Sequence, residues 1–408
     1  MRYLATSAMQ IACATLLLAD GLAAQAPQRT RAALAHSISD TVARVLRAAQ
    51  HDSAFPGAYA IVGDSRGVLA RVSVGRIDWA KNAPAPTEQT LWDLASLTKV
   101  IATTSAAAQL VEQDKVDLDA PVQRYLPDWS GPGKDAVTIR HLLTHTSGLP
   151  AFRPYDRQTQ NADSIAALLY ATELERAPGE RMVYSDIGAF VLGRVIEKVS
   201  GERLDGYFNR HIARPLQLRE TMFTPPRALR ARIAPTEIDT LRGGLVRGAV
   251  HDERAYYLGG VAAHAGLFGS ARDLARFATM MLRGGALDGA RIFTPTTIAL
   301  FTRYEAPNFS NRGLGWQKRE RPGMQFTTGA PWGGTTFSAS SFGHTGFTGT
   351  SIGIDPERDL YIILLSNRVN PTRNNNKITA VRRTLTDAVV ALSDAYRGPS
   401  ANRESPSP

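Results

Sequence analysis

The chain has 408 residues, of which 43% are hydrophobic and 21% charged, as in an ordinary soluble globular protein with room for more than one compact core. Its net charge is +10, but seven of the 47 basic residues are lysines and the rest are arginines, scattered without a run of five or more. A solvated surface explains this charge better than a nucleic-acid groove does, and we expect no nucleic-acid partner.

The N-terminus has the pattern of an export signal. Arg2 precedes an apolar stretch from Leu4 to Ala19, and small residues follow at positions 21, 23 and 24. The stretch is too short and too polar for a good membrane span. We therefore expect a signal peptide over residues 1–24, no stable membrane anchor, and a mature protein that is periplasmic or secreted.

The chain contains one cysteine, Cys13, which lies inside this expected signal peptide. A lipoprotein signal needs an apolar residue three positions earlier, and Gln10 stands there instead. The mature chain would have no cysteine, which excludes disulfides, a thiol nucleophile and a cysteine metal site.

The predicted elements follow in chain order, strands near both ends and helices between them. An amphipathic helix over 31–50 precedes a β-hairpin over 57–76, whose turn is Asp64-Ser65-Arg66-Gly67. Helices are predicted from Ser96 onward and over 164–175, 186–200 and 271–283, the last with a Ser270–Asp273 capping box. Short strands then lie within 341–347, 350–356 and 360–367, and a final helix carries Ile378, Val381, Leu385, Val389 and Leu392 on one face.

This order predicts an α+β fold. An antiparallel sheet, covered by the first and last helices, would be formed by residues 25–95 and 286–396. A mainly helical domain over 96–285 would be inserted into it, and residues 397–408 would be a disordered tail. Active sites favour such seams between domains.

The stretch "DLASLTKVIAT" places Ser96 and Lys99 one helical turn apart among apolar residues. The Ser96 hydroxyl would lie at the positive end of the helix dipole. Burial disfavours the charged form of an amine, and a neutral Lys99 could accept the serine proton. A helix-capping serine beside a surface lysine would have the same spacing, so the pair needs support from elsewhere in the chain.

Two further segments give that support. "APGERMVYSDIGAF" places Tyr184 just before a predicted helix, with Asp186 two residues later. "SFGHTGFTGTS" places His344, Thr345 and Gly346 on a predicted strand, where they could line one side of a cleft.

The three motifs, Ser96-Leu97-Thr98-Lys99, Tyr184-Ser185-Asp186 and His344-Thr345-Gly346, resemble in order those of the penicillin-recognising serine hydrolases. Their spacing is similar to the branch that holds class C β-lactamases, D-Ala-D-Ala carboxypeptidases and β-lactamase-like esterases. "HLLTHTSGLP" at 141–150 and "VHDERAYYLGG" at 250–260 resemble the same branch. The resemblance implies a β-lactamase/transpeptidase-like fold and an exported serine hydrolase that acts on D-Ala peptides of peptidoglycan, carboxylic esters or β-lactams, in falling order of preference.

The resemblance also implies the role of each residue. Ser96 would be the acylated nucleophile, Lys99 its first base, and Tyr184 a base in one half-reaction and an acid in the other. The backbone N–H groups of Ser96 and Phe347 would form the oxyanion hole. Asp186, His344, Thr345 and Gly346 would contact substrate, and the chemistry would need neither a metal nor another cofactor.

Two residues depart from the family pattern. The second motif usually ends in asparagine, and Asp186 cannot donate a hydrogen bond when ionised; it could instead hold Lys99 as a cation and shift base catalysis to Tyr184. The third motif usually begins with lysine, whereas His344 is largely neutral at pH 7. Both changes disfavour β-lactam hydrolysis, and they raise the alternative of a catalytically silent envelope-binding protein.

Several other residues allow both a functional and a structural interpretation. His141 and His145 have the spacing of a helical metal pair, but no glutamate follows His141, so we expect no metal ligation. His251, Asp252 and His264 could be structural or could line the cleft. Arg247, Arg254 and Arg312 could bind an acidic substrate group but are expected at the surface. The oligomeric state is not predicted.

Overall fold

The computed structural model describes residues 30–305, 310–319 and 333–397. The expected signal peptide lies outside these residues, and so does the expected tail except for Arg397, which ends the last helix. Export and the disordered tail therefore stay predictions.

The six strands of the main sheet come from both ends of the described chain. From the N-terminal part come β1 (Gly57–Asp64) and β2 (Gly67–Gly75), joined by the predicted tight turn. The late strands are β10 (Gln317–Lys318), β11 (Phe342–Thr345), β12 (Ser351–Asp355) and β13 (Leu360–Ser366). The order is β10-β11-β12-β13-β1-β2, with every neighbouring pair antiparallel, so β13 joins the two ends of the chain.

The first and last helices cover one face of this sheet. Helix α1 (Arg31–His51) packs on β2 and on the C-terminal helix, which spans Ile378–Arg397. Because strand side chains alternate between faces, Ala58, Ala60 and Val62 of β1 point into this layer, whereas Tyr59 and Ile61 point into a second core. The predicted sandwich of sheet and terminal helices is therefore present.

The middle of the chain is mainly helical. Its helices are α2 (Ser105–Glu112), α3 (Ile139–Thr144), α4 (Ala162–Ala171), α5 (Asp186–Ser200), α6 (Leu204–Phe208), α7 (Glu253–Tyr257), α8 (Ala271–Leu282) and α9 (Pro295–Thr302), and the C-terminal helix is α10. The Ser270 side chain caps α8 by accepting from the Asp273 N–H, as the capping box predicts. Helix α8 packs on the second face of the sheet, so one hydrophobic core includes side chains of both the main sheet and the helical middle of the chain.

Short strand pairs connect the helices. A three-stranded sheet orders β3 (Trp92–Asp93), β7 (Leu267–Gly269) and β4 (Met222–Phe223), and two-stranded pairs form from β5 (Ile238–Asp239) with β6 (Gly244–Leu245) and from β8 (Ala286–Leu287) with β9 (Ala290–Arg291). Strand β3 ends just before Ser96. The three-stranded sheet therefore places the segment that carries Ser96 at the junction between the main sheet and the helices.

The fold is the β-lactamase/transpeptidase-like α+β fold that the motifs imply. The predicted boundaries at 95/96 and 285/286 stay a prediction. One predicted helix differs in detail, because the helix after Ser96 passes through a π-helical turn at Lys99–Thr104 before α2 begins. The Ser105 hydroxyl donates to the Val100 carbonyl inside this turn, and such wide turns are frequent at functional sites.

Candidate active site

Ser96 lies on a constrained turn between β3 and the π-helical segment. The preceding residue, Ala95, has a left-handed backbone with φ of 46°, which is costly for a residue with a Cβ atom. The buried Asp93 carboxylate holds this turn, since it accepts from the N–H of Ala95 at 2.8 Å and from that of His251 at 2.6 Å. Ser96, the predicted nucleophile, thus lies on a firmly held segment.

Lys99 lies directly beneath Ser96. Its ammonium donates to the Ser96 hydroxyl at 3.2 Å and to the His264 carbonyl at 2.8 Å, and it pairs with Asp186 at 2.8 Å. Burial opposes the charged form, but the Asp186 carboxylate and the nearby Tyr184 hydroxyl raise the pKa of Lys99 above its ordinary value. The sequence left open whether Lys99 is neutral or positively charged, and the structure favours the charged form.

Tyr184 is positioned by the segment that ends α3. The His145 backbone is left-handed, and its Nδ1 atom accepts from the Ser185 N–H at 3.1 Å, with its ring 4.6 Å from that of Tyr184. Ser185 caps α5 and donates to the Pro150 carbonyl. The segment "HLLTHTSGLP" therefore holds the second motif in place, and His145 works as a hydrogen-bond acceptor rather than as half of a metal pair.

Arg312 is the main correction to the sequence expectations. Instead of lying at the surface it is 2% exposed, with its guanidinium carbon 5.2 Å from the centre of the Tyr184 ring. Burial lowers the pKa of Arg312 to about 10, which leaves it charged at neutral pH. Its Nε and Nη1 atoms have no partner among the described residues. Tyr184 thus has two cations beside its ring, because Lys99 is 4.9 Å from the same ring centre.

A chain of alternating charges leads away from Lys99. Asp186 pairs with Lys99 and with Arg254, Arg254 pairs with Asp252 at 3.0 Å, and Asp252 contacts His264 at 3.0 Å. Burial alone would raise the pKa values of both carboxyl groups, but the neighbouring cationic groups hold the pKa of Asp186 low and that of Asp252 well below its usual range. Arg254 is also buried, contrary to expectation.

The third motif lies on β11, behind Tyr184. His344 is 2% exposed with its ring 5.8 Å from that of Tyr184, and burial together with Arg312 and Lys99 holds the pKa of His344 far below its ordinary value. It is therefore neutral. His344, Thr345 and Gly346 do not line the cleft. A Cβ atom at Gly346 would approach the Leu94 carbonyl to 2.4 Å, so this glycine lets two protein segments meet.

The turn that follows β11 carries Phe347, whose ring is 49% exposed at the cleft. Two arginines hold the turn. Arg382 of α10 donates to the carbonyls of Gly346 and Thr350 at 2.9 and 2.8 Å, and Arg368 donates to the Phe347 carbonyl at 2.7 Å. Within the described residues, the backbone N–H groups of Ser96 and Phe347 donate to no acceptor.

These groups meet at a cleft of about 860 Å³. Ser96, Tyr184, Asp186 and Phe347 line it, together with the charged network described above. Burial would raise the pKa of Glu237 at the far wall, but His251 and Arg373 lower it to about 2. The cleft therefore offers an open nucleophile in a strongly polar setting.

Comparison with known proteins agrees with this geometry. The Beta-lactamase family model matches residues 42–386. The chain belongs to the Beta-lactamase family. A protein of Salmonella agona that carries the name "Putative D-alanyl-D-alanine carboxypeptidase" is 35% identical over 324 residues, which cover 72% of each chain.

Two solved structures show the same fold. EstCE1, described as a hydrolase with promiscuous acyltransferase activity, is 24% identical with a TM-score of 0.69 and covers 87% of this chain and 99% of its own. A penicillin-binding protein homologue from Caulobacter crescentus is 22% identical with a TM-score of 0.68 and covers 87% and 97%. This chain is therefore a serine hydrolase of the Beta-lactamase family.

The sequence did not single out the arginines that build this family member's site. Arg254, Arg312, Arg368 and Arg382 are all buried, yet in a chain with 40 arginines none has a distinctive pattern. The only available signal was the position of Arg254, which lies in the family-like segment "VHDERAYYLGG". Arg247 donates to the carbonyls of Ala231 and Ile233 and is structural.

The histidines also have assigned contacts. His141 takes part in the capping box of α3 with Thr138, while His251 and His264 line the cleft and pair with Glu237 and Asp252. In the part of the chain that the structure describes, no group of three or more His, Cys, Asp or Glu side chains could hold a metal ion.

Proposed function

We propose that this protein is an exported D-alanyl-D-alanine carboxypeptidase that acts on peptidoglycan peptides through an acyl-enzyme on Ser96. One observation carries the proposal: the Ser96 hydroxyl lies 3.2 Å from a Lys99 cation at an open cleft, beside Tyr184. The name of the Salmonella relative supports the choice of substrate. Esters come next in preference and β-lactams last.

Acylation begins when Ser96 Oγ attacks the carbonyl carbon of the penultimate D-alanine. The Lys99 ammonium donates to this oxygen and cannot take its proton, so Tyr184 acts as the general base that accepts it. Lys99 and Arg312 place positive charge 4.9 and 5.2 Å from the centre of the Tyr184 ring. The tetrahedral oxyanion binds the free N–H groups of Ser96 and Phe347.

Collapse of this intermediate breaks the peptide C–N bond. Tyr184 returns its proton to the leaving amine, and D-alanine departs. A water molecule then attacks the ester carbonyl, gives its proton to Tyr184, and Ser96 Oγ leaves as the hydroxyl when that proton is returned. Each proton taken up by Tyr184 is thus given back within the same half-reaction.

Arg254 supplies the donor that Asp186 cannot. The family asparagine donates an amide hydrogen to a substrate carbonyl, whereas the ionised Asp186 only accepts. Asp186 holds Arg254 at 3.0 Å, and Arg254 Nη1 is buried without a partner among the described residues. We assign this N–H to the carbonyl on the acyl side of the scissile bond.

The third motif disfavours a β-lactam. Arg312 carries a positive charge that no described carboxylate neutralises, but it is buried and is not among the residues that line the cleft, so its charge acts on Tyr184 rather than on a substrate carboxylate. The lysine that β-lactamases of this family use on the third motif is replaced by neutral His344.

The test is one substrate panel on a single purified sample: a D-Ala-D-Ala peptide, p-nitrophenyl esters and nitrocefin, with mass spectrometry to detect the adduct. We expect D-alanine release, the largest kcat/KM for the peptide, and a covalent adduct with a fluorophosphonate probe. Ser96→Ala is the control and should lose both activity and adduct. Ester hydrolysis without D-alanine release would replace the carboxypeptidase proposal by an esterase.

The same experiment separates the silent alternative. A binding protein that lacks catalysis would show no adduct and no turnover with either Ser96 or Ala at position 96. Export is tested independently by fractionating the source cells and sequencing the N-terminus of the mature protein, which we expect to begin near residue 25. Among the described helices, none has both the length and the apolar character needed to cross a bilayer.

A further inference from the structure

A second pocket, apart from the catalytic cleft, lies between helix α8 and the β1–β2 hairpin. It encloses about 410 Å³, which is within the range of small-molecule sites, and none of the described residues lines both it and the cleft. Its charged lining consists of six arginines and two carboxylates: Arg66, Arg71, Arg219, Arg272, Arg276 and Arg283, with Glu88 and Asp288. We call it the arginine pocket.

The arginines reach the pocket from three segments of the chain. Three of them share one face of α8 and its C-terminal end: Arg272, Arg276 and Arg283. Arg66 and Arg71 come from the hairpin turn and from β2, the edge strand of the main sheet, and Arg219 precedes β4. A concave surface lined by one sign of charge concentrates counter-ions, so this arrangement is typical of an anion site.

The carboxylates around the pocket do not neutralise its charge. Two of those that pair with its arginines are shared with arginines outside it, because Asp64 also pairs with Arg31 and Glu220 also pairs with Arg232. When every carboxylate paired with a pocket arginine is included, together with these two outer arginines, eight arginines face five carboxylates. Positive charge is therefore left for a ligand.

Two of the pocket arginines have no carboxylate partner among the described residues. The exposed guanidinium of Arg219 has neither an ion pair nor a hydrogen bond with them. Arg283 donates to the Ser65 carbonyl at 2.6 Å, a contact that joins the end of α8 to the hairpin turn but leaves the charge uncompensated. These two side chains are therefore the ones that gain most from an anionic ligand.

Two buried hydroxyl groups lie at the floor of the arginine pocket. Tyr361 of β13 is fully buried and Thr279 of α8 is 5% exposed, and both line the pocket. The Thr279 hydroxyl donates to that of Tyr361 across 3.5 Å, a weak contact, and the Tyr361 hydroxyl donates to no acceptor among the described residues. A Cβ atom at Gly63 would approach this hydroxyl to 2.2 Å, so the glycine leaves the space that the tyrosine occupies. Because an unused buried donor costs free energy, the Tyr361 hydroxyl indicates a ligand acceptor.

We propose that the arginine pocket binds a small molecule through its phosphate groups. A phosphate carries about two negative charges and three acceptor oxygens that point in different directions, so arginines from three segments can donate to it. A carboxylate carries a single charge, and one guanidinium fork satisfies both of its oxygens. The excess of arginine therefore favours a di- or triphosphate. The inference does not depend on the reaction at Ser96, since the pocket and the cleft share no lining residue.

The experiment is isothermal titration calorimetry of the full chain with tripolyphosphate, pyrophosphate and citrate in about 0.15 M NaCl, where distant exposed charges are screened. We expect one tripolyphosphate per chain, with pyrophosphate weaker and citrate at least about tenfold weaker. Arg219→Gln/Arg283→Gln should weaken tripolyphosphate binding at least about tenfold. The matched control is Arg227→Gln/Arg230→Gln, which changes the net charge equally at two exposed arginines outside the pocket and should bind like the wild type.

Tyr361→Phe tests whether the ligand reaches the floor of the pocket. The variant removes the hydroxyl without changing any charge, and its one lost contact is the weak one with Thr279. Tripolyphosphate binding should weaken about tenfold, because a hydrogen bond to an anionic group is lost. Thermal unfolding without ligand shows that the variant is folded.

Four results would overturn the proposal. Equal weakening in the two arginine double variants would mean that the ligand responds to general surface charge. Citrate that binds as tightly as tripolyphosphate would mean that the pocket takes carboxylates. An unchanged affinity in Tyr361→Phe would place the anion on the surface instead of in the pocket, and no heat of binding at all would mean that the arginines do not form a phosphate site.

Discussion

The floor and the mouth of the cleft are built in opposite ways. On the floor, the buried Lys99 and Arg254 pair with the partly buried Asp186 in one charge network, and Arg312 is buried without a counter-ion among the described residues. At the mouth, Leu241, in the turn between β5 and β6, is 86% exposed. Charges act strongly where water is excluded, so substitutions on the floor should change catalysis and folding together. Substitutions at the mouth should change neither.

The largest effect is expected from Lys99→Met. The variant removes the hydrogen bond to Ser96 and one of the two cations beside Tyr184, so kcat/KM for a small ester should fall about 10³-fold or more. It also leaves Asp186 with one cation fewer, and the free energy of unfolding should fall by about 2–3 kcal/mol. Stopped-flow acylation and urea unfolding measure the two quantities.

The control for this variant is Lys99→Met/Asp186→Asn. Removing both charges should restore most of the stability without restoring activity, because the neutral amide leaves no buried carboxylate unpaired. If Lys99→Met kept its activity, the positive charge of Arg312 alone would be sufficient beside Tyr184. The proposed requirement for both cations would then be wrong.

Arg312→Met should have the next largest effect. We expect kcat to fall about 100-fold because the uncompensated positive charge beside Tyr184 is lost, with a smaller change in KM. The same variant should not be less stable, since it replaces a buried guanidinium that has unpartnered N–H groups. A fall in kcat without a fall in the free energy of unfolding would show that the Arg312 charge contributes to catalysis and not to stability.

Arg312→Lys provides the matched comparison. It keeps the charge but changes the shape, and it should recover part of the lost activity. If Lys and Met variants lose activity equally, Arg312 has a packing role beside Tyr184 and the charge argument is wrong.

The three motifs and the elements that carry them show how much of the fold and of the candidate site could be predicted from the sequence. The Ser96–Lys99 spacing, the second motif at the start of α5 and the third motif on β11 are local patterns, and the residues that carry them lie together as expected. The hairpin, α8 and the late strands follow from periodicity, turn residues and capping, which are also local.

The rest depends on contacts between distant segments. Arg312 reaches Tyr184 across 128 positions of sequence, and Arg382 reaches the Gly346 turn from the last helix. The residues that neighbour an arginine in the chain do not show whether it is buried. In a chain with so many arginines, the few that lie at the site cannot be distinguished from the others. The sequence left the charge of Lys99 open for the same reason, because Asp186 reverses the effect of burial on the pKa of Lys99 only once the two segments meet.

Asp186→Asn should change selectivity rather than abolish activity. The amide can donate to a substrate carbonyl, so β-lactam acylation relative to ester hydrolysis should rise about fivefold, the value of one neutral hydrogen bond. Fluorescent penicillin labelling and p-nitrophenyl ester hydrolysis give the ratio. Asp252→Asn removes a charge from the same network without placing an amide next to Lys99, and it should leave the ratio near that of the wild type. An unchanged ratio in Asp186→Asn would count against the role assigned to that position.

The charge network should also appear in the pH dependence of stability. The pKa of Asp252 is held well below that of a free carboxyl group, so its contribution is present above the pKa of the unfolded chain and is lost as the pH falls toward the folded value. Asp252→Asn should therefore lower the melting temperature by several degrees at pH 7, and the gap should narrow between pH 5 and pH 3. Asparagine can still cap α7 as Asp252 does, so the substitution changes the charge while the cap is kept. Asp135→Asn, at an exposed residue with no ion pair among the described residues, should show no such gap.

The smallest effect is expected at the mouth. Leu241→Ser should change the free energy of unfolding by less than about 0.5 kcal/mol, because the side chain is almost as exposed in the folded chain as in the unfolded one. Hydrolysis of a small soluble ester should stay within about twofold of the wild type, since the substitution adds no charge near Ser96 or Tyr184. Thermal unfolding and ester turnover measure both. A clear loss of stability would mean that Leu241 packs on the protein in solution, and the contrast between a charged, coupled floor and an independent apolar mouth would then disappear.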